Sequence, residues 1–263
     1  MALSNEEWDT LIRNKIDEVN KLPKDTPVPS PSPPPIPAAN EILALIIDHT
    51  LLKPDATSAQ IDELCDQALK FNFKSCCVNG AYIPQVARRL AGSSTVPCCV
   101  VGFPLGASSS KVKAFETRQA ISDGAKEIDM VLNIGALKSH NYALVFLDVQ
   151  SVVSAASGHT VKVILETALL SDDEKIAAAF IAAEAGAAFV KTCTGFSGGA
   201  ASAKDVALMK KTVQYKGNVR VKASAGIRSL ETCLEMLAAG ADRIGTSSGV
   251  AIMQKAESNS DAY

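Results

Sequence analysis

Three charged residues interrupt runs that otherwise read as apolar strands: Lys191 in AFVKTCT, Lys222 in VRVKAS and Asp129 in EIDMVLN. An ammonium or carboxylate inside such a run is costly to bury without partners, so these groups either pair for packing or do chemistry. A neutral lysine amine attacks carbonyl carbon, and a second cation nearby favours the amine form. Lys191 is therefore a candidate nucleophile. Lys222 is a candidate for the second cation, or for attracting a phosphate. Asp129 can pass protons together with Lys222 and water. Lys162 and Glu166, in TVKVILE, extend the same polar set. Asp48, placed at the end of LIIDHT, reads either as a loop residue resembling an N-cap or as a carboxylate binding a substrate hydroxyl; Cys77 lies within KSCCV. The three histidines, His49, His140 and His159, form no close ligand cluster with Cys or Asp, which gives a metal-dependent mechanism little support.

These side chains can meet only if their runs are neighbours in one sheet. Eight β-rich runs cover residues 45–50, 74–78, 97–103, 127–133, 160–166, 188–194, 219–224 and 242–247, with starts about 23 to 33 residues apart. That interval holds a strand, a loop and a crossover helix, the length a parallel sheet needs. Thr57 with Gln60, Ser171 with Glu174 and Ser202 with Asp205 resemble capping boxes at helix starts, and Gly186 and Gly240 resemble left-handed helix ends. Eight such units favour an α/β fold of the closed (β/α)8 TIM barrel type over an open sheet of about six strands. In a barrel, the carboxyl ends of all strands open into one mouth.

The chain has 263 residues, a length that suits one barrel, and its aromatic share of 5% leaves the apolar content to Ala, Val, Ile and Leu. A formal net charge of -2 without a basic run argues against nucleic acid and membrane partners and for a small ligand. Most of the seven cysteines, an odd number set mainly in apolar runs, read as buried free thiols of a reducing compartment. With no signal-like or membrane-spanning run, a cytoplasmic location is expected.

Residues 1–40 read as an extension, and 41–263 as the barrel. Within the extension, residues 5–20 carry Trp8, Leu11, Ile12, Ile16 and Val19 at helical spacing, which predicts an amphipathic helix, docked on the main domain or, as the alternative, serving a separate partner. Eight prolines between Pro23 and Pro37 predict an extended linker.

Small residues after the later runs suggest an anion site. GTSSG (245–249), with Ser247 and Ser248, precedes a helical run; SAGIRS (224–229) holds Gly226; and TGFSGGA (194–200) opens with Thr194 and Gly195. Backbone N–H groups and hydroxyls there could cradle a phosphate, at the place where barrels of this type commonly bind one.

Over about residues 41–263 the chain resembles the deoxyribose-phosphate aldolase family, through DHTLLKPDAT, EIDMVLNIGAL, VKVILET, FVKTCTGF and VKASAGIR in that order. The resemblance implies reversible cleavage of 2-deoxy-D-ribose 5-phosphate to D-glyceraldehyde 3-phosphate and acetaldehyde, with no metal or organic cofactor. It implies Lys191 as the Schiff-base lysine, Lys222 as the lysine that favours its amine form, and Asp129 as the relay carboxylate. Asp48, Cys77, Thr194, Gly195, Gly226, Ser247 and Ser248 then belong to the substrate pocket, and the terminal Tyr263 resembles a tyrosine that visits the site to move a proton. The implied ligands are a phosphorylated deoxysugar and small aldehydes; a homodimer is one arrangement left open. Phe196, where bacterial members often have lysine, and Ser224 and Ala225, in place of the commoner VKPAGGVR-like form, depart from the pattern near the phosphate. Another class I aldolase, or a noncatalytic protein binding phosphorylated ligands on the same barrel, are the alternatives.

Overall fold

The protein is described by a computed structural model covering residues 3–22 and 42–260, with side chains described through Ala256. The proline-rich linker and Tyr263 lie outside the described residues. Eight parallel strands, β1 (Ile47–Leu51), β2 (Ser75–Val78), β3 (Val96–Val101), β4 (Glu127–Val131), β5 (Thr160–Ile164), β6 (Phe189–Lys191), β7 (Arg220–Ser224) and β8 (Arg243–Thr246), close in sequence order into one barrel. β8 returns to β1 with Asp48 opposite Gly245. The (β/α)8 architecture is thus the one the spacing of the runs predicts.

Alternation along each strand sorts the residues. Ile128, Met130, Val161, Val163, Val190, Val221 and Ile244 face outward into the main apolar core, beneath helices such as Ser110–Ser122, Tyr142–Ala155 and Asp172–Glu184. The intervening residues face inward, and many of them are charged. Fully burying a side chain such as Ile or Met contributes about 1.5–3 kcal/mol. The outer face therefore supplies most of the stability that the inner face needs to hold its charges.

Two capping boxes form as expected, at Thr57–Gln60 and Ser171–Glu174. The third is half built. Ser202 Oγ accepts from the Asp205 backbone N–H at 3.1 Å, but the Asp205 carboxylate takes Lys175 Nζ at 2.7 Å instead of returning to Ser202. A cation within reach outcompetes a lone backbone donor. Gly186 and Gly240 take the expected positive φ, 92° and 105°.

The N-terminal helix α1 (Asn5–Lys21) docks on the barrel through buried Trp8, Ile12 and Val19. The Trp8 ring centroid lies 5.1 Å from that of Phe146, and Lys15 Nζ lies 3.9 Å from the centre of the Tyr215 ring. Leu11 is exposed, a departure from the predicted apolar stripe, because the contact follows positions 8, 12, 15 and 19 and leaves residue 11 on the flank.

Candidate active site

Strand register brings the predicted charges together. Asp129 is opposite Lys162, and Lys191 is opposite Lys222, in neighbouring strands on the inward face. Lys191 Nζ donates to Asp129 Oδ2 at 2.7 Å and Lys222 Nζ donates to the same oxygen at 2.8 Å; Lys162 Nζ donates to Oδ1 at 2.7 Å. One carboxylate thus joins three ammonium groups. A deeper layer completes the set: Asp48 pairs with Lys222 at 2.5 Å and Arg243 at 2.7 Å, and Glu127 pairs with Lys162 at 2.6 Å and Arg243 at 3.1 Å. Gly245 makes room for this arrangement, since a Cβ there would come within 2.8 Å of Lys222 Cε.

Burial opposes ionisation at Asp48, Asp129, Lys162, Lys222 and Arg243, and the partners outweigh it. Burial pushes Asp129 up, but Lys162, Lys191 and Lys222 hold it well below the ordinary carboxylate range. Burial likewise disfavours the Lys222 ammonium, yet Asp129 and Asp48 raise its proton affinity above the usual lysine value. Lys222 is therefore a fixed cation. Among the described residues Lys191 pairs with Asp129 alone, whereas Lys222 has two carboxylate partners and Lys162 three. The Lys191 side chain also keeps 4% exposure while those of Lys162 and Lys222 have none, so the amine that a molecule entering the mouth can meet is that of Lys191.

Asp48 differs from its sequence reading. It is the second residue of β1 rather than its end, and Arg243, Ser75 and Lys222 surround its oxygens deep in the barrel. The strand starts and ends later than the apolar run LIIDHT because Leu45 and Ile46 form a turn before the ladder begins. Glu166 also leaves its predicted strand. It sits beyond β5 at φ 60°, buried, and its carboxylate accepts from the Thr194 N–H at 3.2 Å, from the Thr194 hydroxyl and from Ser197 Oγ at 3.2 Å. It shapes the loop after β6. Cys77 faces inward beside Cys98, whose Sγ donates to Asp129 Oδ1 at 3.3 Å.

The candidate phosphate region is built from three loops. Gly195 and Gly226 have φ of 83° and 77°, and Ala225, without glycine's freedom, adopts 81°. A Cβ on Gly226 would meet Ala200 at 2.7 Å, so glycine there lets the loops after β6 and β7 touch. Ser224 straps the two lysine strands: its N–H donates to Thr192 Oγ1 at 2.9 Å and its hydroxyl to the Cys193 carbonyl at 2.7 Å. Gly245 and Thr246 belong to β8, so the loop that the GTSSG run suggested starts at Ser247. Ser247 is exposed and Ser248 half-buried; the Ser248 N–H donates to Thr246 Oγ1 at 2.9 Å, which leaves its hydroxyl as the freer group. Phe196 stands on the rim in edge-to-face contact with Phe103, ring centroids 5.2 Å apart.

Ser75, Cys98, Glu127 and Arg243 escaped the sequence reading. The available signal was alternation: Glu127 precedes Asp129 by two residues, and Arg243 lies opposite Lys222 in register. As a metal site, Cys77, Cys98 and Asp129 bring donor atoms within 4.8 Å of one another, but the three ammonium groups on Asp129 would oppose a dication there. Among the described residues, no helix is long and apolar enough to cross a membrane.

Comparison with known proteins agrees with this geometry. The DeoC/LacD family aldolase description matches residues 42–255. Deoxyribose-phosphate aldolase 2 of Staphylococcus aureus (strain MRSA252) is 56% identical over 218 residues, 83% of this chain and 98% of that protein. A crystal structure assigned as a deoxyribose-phosphate aldolase from Coccidioides immitis superposes with a TM-score of 0.89 at 40% identity, covering 97% of this chain and 99% of the other. The tetrameric deoxyribose phosphate aldolase of Aeropyrum pernix gives 0.78 at 32% identity, covering 84% and 94%. A barrel with a lysine pair on one buried carboxylate, matched over most of its length, places this chain in the DeoC/LacD aldolase family, among the deoxyribose-phosphate aldolases.

Proposed function

We propose that this aldolase cleaves 2-deoxy-D-ribose 5-phosphate to D-glyceraldehyde 3-phosphate and acetaldehyde through a Schiff base on Lys191. The observation that carries the reading is the shared Asp129 Oδ2, which holds Lys191 beside a fixed Lys222 cation while leaving Lys191 the one nearer the mouth. Attack requires the amine form, and Lys191 has a single carboxylate to leave. Its nitrogen adds to the C1 aldehyde of the open-chain sugar; Asp129, beside the fixed Lys222 cation and exchanging protons with water, protonates the departing hydroxyl, and water leaves to give the iminium. The iminium accepts electrons as the C2–C3 bond breaks and the C3 hydroxyl gives up its proton. D-Glyceraldehyde 3-phosphate departs, leaving an acetaldehyde enamine on Lys191. Protonation at C2 and hydrolysis release acetaldehyde. We assign that proton delivery to Tyr263, on the resemblance to aldolases in which such a tyrosine visits the site, where its phenol can carry a proton.

The phosphate is assigned to the loops holding Gly195, Gly226, Ser247 and Ser248, with Thr194 positioned by Glu166. Cys77 lines the end where the acetaldehyde unit sits. Asp48 acts from below, fixing Lys222. Residues 41–263 are the catalytic barrel, and the family match begins at residue 42. Incubating purified protein with 2-deoxy-D-ribose 5-phosphate and EDTA tests the assignment: both aldehydes should appear at an undiminished rate. Turnover of other phosphorylated aldols, with none of this sugar, would overturn the substrate assignment.

A further inference from the structure

Two thiols stand on the inner wall without a place in the proposed proton path. Cys77 on β2 and Cys98 on β3 are register partners in neighbouring parallel strands and share a small inward cluster with Leu52 and Val100. Adjacent strands lie about 4.8 Å apart, inside the roughly 4.4–6.8 Å between Cα atoms that a disulfide spans. Their sulfurs already lie within 4.8 Å of each other. The neighbouring Cys76 and Cys99 face the helices instead and are opposite Pro97 and Val78, not each other.

We propose that Cys77 and Cys98 form a paired-thiol modification site at which a small peroxide closes a reversible disulfide across β2 and β3, slowing the enzyme. The two thiols have distinct roles. The contact with Cys98 holds the Cys77 thiol below its ordinary value against burial and Asp129, with help from Lys222 and Lys191, whereas burial pushes Cys98 well up and its S–H is given to Asp129 Oδ1. Cys77 is thus the attacking sulfur and Cys98 the resolving one. The Cys77 thiolate attacks one oxygen of hydrogen peroxide and breaks the O–O bond, giving a sulfenic acid and a hydroxide that takes the Cys77 proton to become water. Cys98 sulfur then attacks Cys77 sulfur, expelling its oxygen as hydroxide, which leaves as a second water with the Cys98 proton. Two thiols are oxidised and one peroxide is reduced to two waters.

Phe103 packs on the cluster that holds both thiols and also lines a surface cavity of about 350 Å³ with Gly102, Leu105, Ala107, Ser108 and Glu116, so the cluster and the cavity share one residue. The disulfide would remove the Cys98 donor from Asp129 Oδ1 and displace its sulfur from Lys162 Nζ, now 3.4 Å away. Losing a hydrogen bond to a buried charge implies a fall in turnover on the order of tenfold. That activity effect rests on the function proposed above; the covalent change does not.

The full chain should be treated with hydrogen peroxide, its remaining thiols alkylated, and its intact mass, linked peptides and turnover compared with its own untreated sample. The expected result is two cysteines that escape alkylation and are joined with the loss of their two hydrogens, a peptide pair that fragmentation assigns to Cys77 and Cys98, and a roughly tenfold loss of turnover restored by dithiothreitol. Cys98→Ala should show no link, and Cys77→Ala, compared with its own untreated rate, should show neither the link nor a reductant-reversible loss. Alkylation of both cysteines in fully treated protein, a link through Cys76 or Cys99, or the same reversible loss in Cys77→Ala would overturn the site. A Cys77–Cys98 link with unchanged turnover would overturn its effect on the enzyme. The same link in protein that never cleaved the sugar would leave the site standing and count against the proposed function alone.

Discussion

The same eight strands present two faces with opposite physics. On β4, Ile128 and Met130 point outward into the apolar core, while Glu127 and Asp129 point inward to the lysines and Arg243. The outward residues are interchangeable within limits of volume, because burial is nondirectional. The inward ones are held by specific partners at hydrogen-bond distance, and replacing one strands another. A barrel can therefore carry a costly polar interior because a large apolar exterior fixes the register that satisfies it.

The most severe way to separate the two faces is Lys191→Ala (K191A). Cleavage should fall to background while the fold persists, because Lys191 has one ion-pair partner among the described residues and Asp129 keeps Lys162 and Lys222. Circular dichroism and thermal unfolding beside a turnover assay would check both halves. Asp129→Asn (D129N) should cost about 10²–10⁴ in kcat, the range associated with a positioned acid–base group. If D129N kept wild-type turnover, Asp129 would be a packing ion-pair partner.

On the outer face the ranking reverses. Ile128→Ala (I128A) should destabilise the protein by about 2–5 kcal/mol while the folded fraction keeps its kcat, measured by denaturant unfolding and by kinetics well below the midpoint. A large loss of kcat in folded I128A would show that the faces are not separable. Acid titration gives a further contrast. The folded-state proton affinities of Asp48 and Asp129 are depressed, so their contribution to stability is fully present above the unfolded value of about 3.9 and is lost as pH falls from there toward the folded value. The unfolding midpoint in denaturant should thus fall steeply below about pH 4, and Asp48→Asn (D48N) should flatten that slope. The smallest effect is confined to the rim: Ser248→Asp (S248D) should lower kcat/KM for the phosphorylated sugar on the order of tenfold more than for unphosphorylated deoxyribose, through charge repulsion. Equal fractional losses would place the phosphate elsewhere.

These contrasts also explain what the sequence disclosed. The outer face is written in runs of Val, Ile and Cys, so all eight strands and their order were legible, and Lys191, Lys222 and Asp129 stood out as charges inside those runs. Depth was harder to read. Asp48 looked terminal because Leu45 and Ile46 extend the apolar run before the strand, and Glu166 looked inward because a left-handed residue leaves no mark in an apolar pattern. Ser75, Cys98 and Arg243 gain their roles from neighbours far along the chain, as in the Arg243–Asp48 pair, which local periodicity does not reveal. Phe196, Ser224 and Ala225 were visible as departures, but that Ser224 straps β6 to β7 required the register.

Of the three lysines on Asp129, we expect the one at the mouth, Lys191, to form the covalent bond. Borohydride added during turnover of 2-deoxy-D-ribose 5-phosphate, followed by peptide mass spectrometry, reads that directly, because reduction fixes the imine carbon to its nitrogen. An acetaldehyde-derived ethyl group is expected on Lys191. The same group on Lys222 or Lys162, with Lys191 unmodified, would contradict it.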